Sequence, residues 1–257
     1  MDFCRKKGFN FSIYIFTTDT SIVNHRLRIF EYSYLRDIAY KVGAGFIINF
    51  AGFNVFRALF SLHSYEKKNR MIWSSRIDFT KSIVDDLGGL ANNFVFILPS
   101  AVWVYSKFLR DYFLTWESTI TNQKHLVFRL GVVLSKDCQW VSIMKRLLSM
   151  GIYPEFPSSF LFPYVCANHF MEVLLDNIVN FTNSRILDCF KVITFNQFVK
   201  FLENYWGYRD KFLKVNSFIT GFLIKSFFRD YGRVFDSLDI SLMDTDNLME
   251  VQKCFIL

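Results

Sequence analysis

Three groupings of residue types in this chain have the makings of chemistry, and each is incomplete. Cys166 and His169, in Cys166-Ala167-Asn168-His169, offer a thiolate and an imidazole, which are good zinc ligands. No second pair stands at ligand spacing, so the unit reads as a buried thiol beside a helix-capping turn. Asp85-Asp86 precedes Gly88-Gly89, a pattern that could suggest acid/base work or a phosphate loop. Neither G-x-G-x-x-G nor G-x-x-x-x-G-K-[ST] surrounds it, so it reads as a helix end and a turn. Ser100 lacks a Gly-x-Ser-x-Gly elbow and an evident His partner, which leaves nucleophilic catalysis without support. The expectation is therefore no catalytic constellation, no metal set and no cofactor.

Basic residues carry more functional content. Arg26 and Arg28, Lys67-Lys68 with Arg70, Lys145-Arg146, and Lys225 with Arg229 and Arg233 form separated clusters. Guanidinium and ammonium groups suit phosphate contacts, and dispersed clusters suit a folded RNA approached at many points. The competing reading is a solvated surface that keeps an apolar protein soluble. Trp73, Tyr208 and Tyr231 offer faces for stacking on unpaired bases, with core packing as their other use.

Composition sets the frame for these residues. The 257-residue chain is 52% apolar, with 32 Phe against 11 Gly and 4 Pro, and its net charge is +7. That excludes a disordered or collagen-like chain. Phe, Ile, Asn, Tyr and Lys have AT-rich codons, so the Phe excess points to an AT-biased genome such as an organelle's. Five scattered cysteines without a C-x-x-C pair imply neither a disulfide framework nor a four-Cys zinc site, and make a reducing compartment the default. The start of the chain shows no secretory or import signal pattern. The charge-free run from Leu87 to Ser106 is long enough to span a bilayer, but Gly88, Gly89, Asn92, Asn93, Pro99 and Ser100 break it into turns around a short apolar core.

Short apolar strands alternating with amphipathic helices recur along the chain. Phe46-Ile47-Ile48 and Phe94-Val95-Phe96-Ile97-Leu98 read as strands, the second buried on both faces. Helices are expected over Phe53–Phe60, from Ala101 to Arg110, along the Trp140, Ile143, Met144, Leu147, Leu148 stripe, and after Asn168 and Asn196 as caps. Further strands are expected at Phe160-Leu161-Phe162, around Ile178 and Val179, and at Val192 and Ile193. The pattern predicts an α/β, doubly wound fold with a mainly parallel sheet. Its expected parts are an N-terminal extension with a first helix at 1–42, an α/β domain at 43–206 with a shortened helical insertion at about 123–156, and a helical C-terminal extension with an acidic tail at 207–257.

Several motifs, taken in order, resemble the small-subunit ribosomal protein S-two family in a divergent organellar form. Ile47-Ile48-Asn49-Phe50 resembles an early strand end, and Phe94 to Ser100 stands where a strand closes on Val-Gly-Thr-Lys. Leu114-Thr115-Trp116-Glu117-Ser118-Thr119-Ile120-Thr121-Asn122 is similar to the family's Arg-Trp-Leu-Gly-Gly-x-Leu-Thr-Asn. Thr182-Asn183-Ser184 and Val192-Ile193-Thr194-Phe195-Asn196 resemble its last two motifs. The departures are Glu117-Ser118 for Gly-Gly, Pro99-Ser100-Ala101 for Gly-Thr-Lys, and Thr194-Phe195 for Pro-Gly.

The resemblance implies a structural, non-enzymatic protein of a mitochondrial small ribosomal subunit, encoded in the organelle and located in the matrix. Small-subunit rRNA and neighbouring ribosomal proteins would be its partners, with no small-molecule substrate and no membrane. The alternative is a membrane-associated subunit of an organellar respiratory or ATP-synthase complex; an α/β enzyme of unknown chemistry stands third, because layered folds host many functions.

Overall fold

A computed structural model of the chain describes residues 12, 14–17, 28–51, 65–107, 109–135, 138–208 and 213–220. Strands β1 (Tyr14–Thr17) and β2 (Arg28–Glu31) pair in parallel. Helix α1 (Leu35–Val42) then leads to β3 (Gly45–Ile48), and α2 (Tyr65–Ser74) and α3 (Ile77–Leu87) lead to β4 (Phe94–Ala101). Helix α4 (Arg110–Ser118) precedes β5 (Lys124–Leu130), and β9 (Arg185–Cys189) completes a four-stranded sheet of order β3-β4-β5-β9. Every pairing in that sheet is parallel.

Alternation along the central strands explains the two covered faces. Phe94, Phe96 and Leu98 of β4 and Val127 of β5 pack with Leu35, Ile83, Phe113 and Trp116 from α1, α3 and α4. The intervening Val95, Ile97, Leu126, Phe128 and Leu130 pack on the opposite face against Phe170 and Leu174 of α6 (Ala167–Val179). Side chains alternate faces with period two, so a run apolar at every position must be covered on both sides. The fold is a doubly wound, mainly parallel α/β layer structure.

A smaller mixed sheet adjoins it, with β8 (Leu161–Cys166) between β6 (Val132–Leu134) and β10 (Lys191–Thr194). Its core takes Val141, Met144 and Leu148 from α5 (Gln139–Ser149), and Phe195, Phe198 and Leu202 from α7 (Phe195–Trp206). A capping box starts α7: the Thr194 hydroxyl accepts from the Gln197 amide, and the Gln197 side chain accepts from the Thr194 amide at 2.7 Å. Strand β7 (Ile152–Pro154) pairs in parallel with β11 (Leu213–Val215).

Several local expectations change. Within 123–156 the helical part is α5, while Lys124–Leu130 is a central strand of the main sheet. Ile178 and Val179 end α6, and the strand lies further on at β9. Between Val102 and Tyr105 the chain makes a 3-10 turn, with helix beginning only at Arg110. The run from Leu87 to Ser106 is a turn, a strand and a turn, and among the described residues no helix is long and apolar enough to cross a membrane. Asn196 caps no helix; its side chain bridges the Phe156 amide and carbonyl. Cys166 is disulfide-bonded rather than a buried thiol, while Cys138 and Cys189 are free. The helix expected over 53–60 lies outside the described residues.

Tyr32 ties the segment before α1 to α3 by donating to Asp86 Oδ2 at 2.8 Å. Burial, with a smaller push from Asp86, raises this phenol to about 12 from its ordinary value of 10.0. A raised folded-state value means stability complete below pH 10 and lost as pH climbs from about 10 through about 12. Urea melts across that window are expected to show a steeper alkaline decline in the wild type than in Tyr32→Phe.

Candidate functional site

The C-terminal ends of the parallel strands gather several of the chain's polar side chains. Register places Ser100 of β4 beside Arg129 of β5, and Arg129 beside Asp188 of β9. Ser100 follows Leu98 and Arg129 follows Val127 on the face covered by α4, so a polar row crosses the sheet just beyond the apolar core. Glu117 of α4 closes over it.

The contacts within the row are charge-assisted and mutually orienting. Arg129 donates twice to Glu117, from Nε to Oε1 at 3.0 Å and from Nη2 to Oε2 at 2.8 Å. Ser100 Oγ donates to Glu117 Oε1 at 2.7 Å. Arg129 Nη1 donates to the Tyr105 hydroxyl at 3.2 Å, and that hydroxyl donates to Asp188 Oδ2 at 2.6 Å. The guanidinium also lies 5.5 Å from the Tyr105 ring centroid. Exposure grades along the row: Ser100 and Glu117 are buried, Tyr105 is half-buried and Asp188 is exposed.

Protonation follows from these contacts. The hydrogen bond to Glu117 raises Arg129 above the ordinary guanidinium value, so its charge is fixed. Burial and then the hydrogen bond to Asp188 raise Tyr105, which keeps its proton at neutral pH. Burial also pushes the Cys189 thiol up to about 11, so it is no nucleophile at neutral pH.

A second cluster supports the first from beneath. Thr80 Oγ1 accepts from Asn49 Nδ2, which follows β3, and from Trp116 Nε1, each at 2.9 Å. Trp116 precedes Glu117, so this anchor fixes the turn of α4 that carries the carboxylate. Thr80 is 1% exposed. Thr80→Val is expected to leave both donors unsatisfied and to lower stability by about 2–4 kcal/mol, with Thr80→Ser close to wild type. Urea denaturation measures it, and a loss for Val no greater than for Ser would remove Thr80 from this role.

Among the described residues the basic clusters do not converge. Lys67, Lys68 and Arg70 lie on α2, whereas Lys145 and Arg146 lie on α5, and these helices pack into different cores. Lys145 Nζ sits 5.7 Å from the Trp206 ring centroid. Arg28 is in β2; Arg26, Lys225, Arg229, Arg233 and Tyr231 fall outside the described residues. Trp73 is no base-stacking surface, being 7% exposed and stacked on Tyr112 at 4.7 Å. Tyr208 packs edge-on to Trp206.

No family model matches the chain, and no curated protein matches it by sequence. Solved structures do match its fold. Human epimerase family protein SDR39U1, solved with NADPH, aligns over 92% of this chain and 83% of its own at TM-score 0.67 and 13% identity. The fold is the one these enzymes share. A dTDP-4-dehydrorhamnose reductase from Bacillus anthracis, solved with NADP, aligns over 93% and 92% at TM-score 0.60 and 10% identity. A Thermus thermophilus UDP-glucose 4-epimerase, solved with NAD, aligns over 82% and 80% at TM-score 0.60 and 10% identity.

These matches overturn the ribosomal resemblance. With it fall the non-enzymatic role and the rRNA and ribosomal-protein partners, and the respiratory or ATP-synthase alternative finds no support either. The motifs behind the resemblance mark ordinary junctions of a parallel layer fold: Asn49 closes β3, and Thr194 caps α7.

The residues present fit a nicotinamide dinucleotide poorly. Glu31 ends β2, where an acid can read a ribose hydroxyl. The pyrophosphate needs a glycine-rich first turn leading into a helix, and no glycine lies between Gly8 and Gly43.

Proposed function

We propose that the chain is a small-molecule enzyme that handles a nucleotide-linked sugar where β4, β5 and β9 end, with Tyr105 as proton donor. The observation that carries this reading is the Ser100, Arg129, Asp188 row closed by Glu117, graded from full burial to solvent. Ligands of open parallel sheets bind outside the carboxyl ends of the strands, where this row lies. The reductase and epimerase of like fold, named for dTDP- and UDP-linked sugars, support the substrate class.

Tyr105 holds its proton at neutral pH and presents it at the exposed end of the row. A substrate carbonyl oxygen that replaces Asp188 as acceptor receives that proton while the released Asp188 carboxylate takes a proton from the carbon beside the carbonyl, which leaves an enol. Arg129 Nη1, already donating to the same hydroxyl, stabilises the negative charge left on it. Glu117 and Ser100 hold the guanidinium in register and are positioning residues.

The test uses dTDP-4-dehydrorhamnose, whose ketone Tyr105 would polarise, in deuterated buffer with proton NMR as readout. Exchange at the carbons beside the ketone is expected to exceed the buffer rate and to fall about 100-fold or more in Tyr105→Phe. Exchange at the buffer rate, or exchange untouched by the substitution, overturns the proposal.

A further inference from the structure

The first strand-to-strand connection is short in sequence. β1 and β2 run in parallel register from Tyr14 opposite Arg28 to Thr17 opposite Glu31. The chain must therefore leave the carboxyl end of β1 and come back to the amino end of β2 within residues 18–27, ten positions. A parallel crossover takes about a dozen residues or more, because it usually contains a helix with a turn at each end.

Composition of the same ten residues points the same way. A pyrophosphate is held by backbone N–H groups that approach it closely, which requires glycine where any Cβ would intervene. The segment reads Thr18-Asp19-Thr20-Ser21-Ile22-Val23-Asn24-His25-Arg26-Leu27, without glycine and with four β-branched residues, Thr18, Thr20, Ile22 and Val23. The strand-end row is by contrast complete, with its guanidinium, carboxylates and hydroxyls all engaged.

We infer that this chain has lost the pyrophosphate cradle of the first turn and works its strand-end site without a nicotinamide dinucleotide held there. The statement about the strand-end site rests on the proposed function; the loss of the cradle stands on the length and composition of residues 18–27.

The experiment titrates the full-length protein with NAD+, NADH, NADP+ and NADPH, by calorimetry and by reduced-nicotinamide fluorescence. The same preparation is titrated with dTDP-4-dehydrorhamnose, with and without each dinucleotide. No saturable dinucleotide binding up to about 1 mM is expected, and no change in sugar-nucleotide affinity when a dinucleotide is added. Saturation below that concentration, or sugar-nucleotide binding that needs a dinucleotide, overturns the inference. Dinucleotide binding absent together with sugar-nucleotide binding absent overturns the proposed function instead and leaves the loss of the cradle standing.

Discussion

Glu117→Ala is expected to destabilise the folded chain by about 3–5 kcal/mol, the scale for removing one partner of a buried ion pair. The reason is what remains. Arg129, whose side chain is 15% exposed, loses both of its bonds to a carboxylate that is itself 5% exposed, and keeps only Tyr105. Ser100 loses the acceptor of its buried hydroxyl at the same time. Arg129→Met is expected to fall in the same range, because it strands the Glu117 carboxylate beneath α4. The double variant Glu117→Ala/Arg129→Met separates the pair from its members: with neither charge left to bury, it is expected to be no less stable than the worse single variant. Urea melts of the wild type, both singles and the double close the cycle. Additive losses within about 0.5 kcal/mol would mean that the two side chains do not act as a pair.

The same residues show how far the sequence could be read. The layer fold was legible because its signals are local: Phe94 to Leu98 is apolar at every position, and α5 and α7 carry apolar stripes that the structure buries. The site was not, because its members meet only through register. Ser100 looked inert for want of a histidine, yet its partner is a carboxylate on a helix that register and packing bring over it. Arg129 interrupts an otherwise apolar strand, Leu126-Val127-Phe128-Arg129-Leu130, and that single buried-run charge was the signal available. The resemblance to a ribosomal family rested on strand ends and helix caps. Such junctions demand Asn and Thr in any parallel α/β chain, whatever its function.

Gly131→Ala is the other change expected to have a large effect, and it acts on the joint between the two sheets. Gly131 stands between β5, which pairs with β4 and β9, and β6, which pairs with β8. A Cβ placed there would lie 2.5 Å from the Tyr164 amide nitrogen and 2.6 and 2.7 Å from the Pro163 carbonyl carbon and oxygen. All three are backbone atoms of β8, so no side-chain rotation relieves the clash. The strand would have to leave its partner, and that loosens Tyr164 and Leu134 in one core and Val165 and Leu130 in another. The expected cost is at the upper end of overpacking, about 3 kcal/mol. In a thermal melt this is a drop of about 6–12 °C, at about 2–4 °C per kcal/mol for chains of this size. The joint also carries Arg129, two residues before the glycine, so the exchange activity proposed for the row is expected to fall along with stability. A melting point within about 2 °C of the wild type would show that β6 and β8 can separate without cost, and that the row on β5 does not depend on the second sheet.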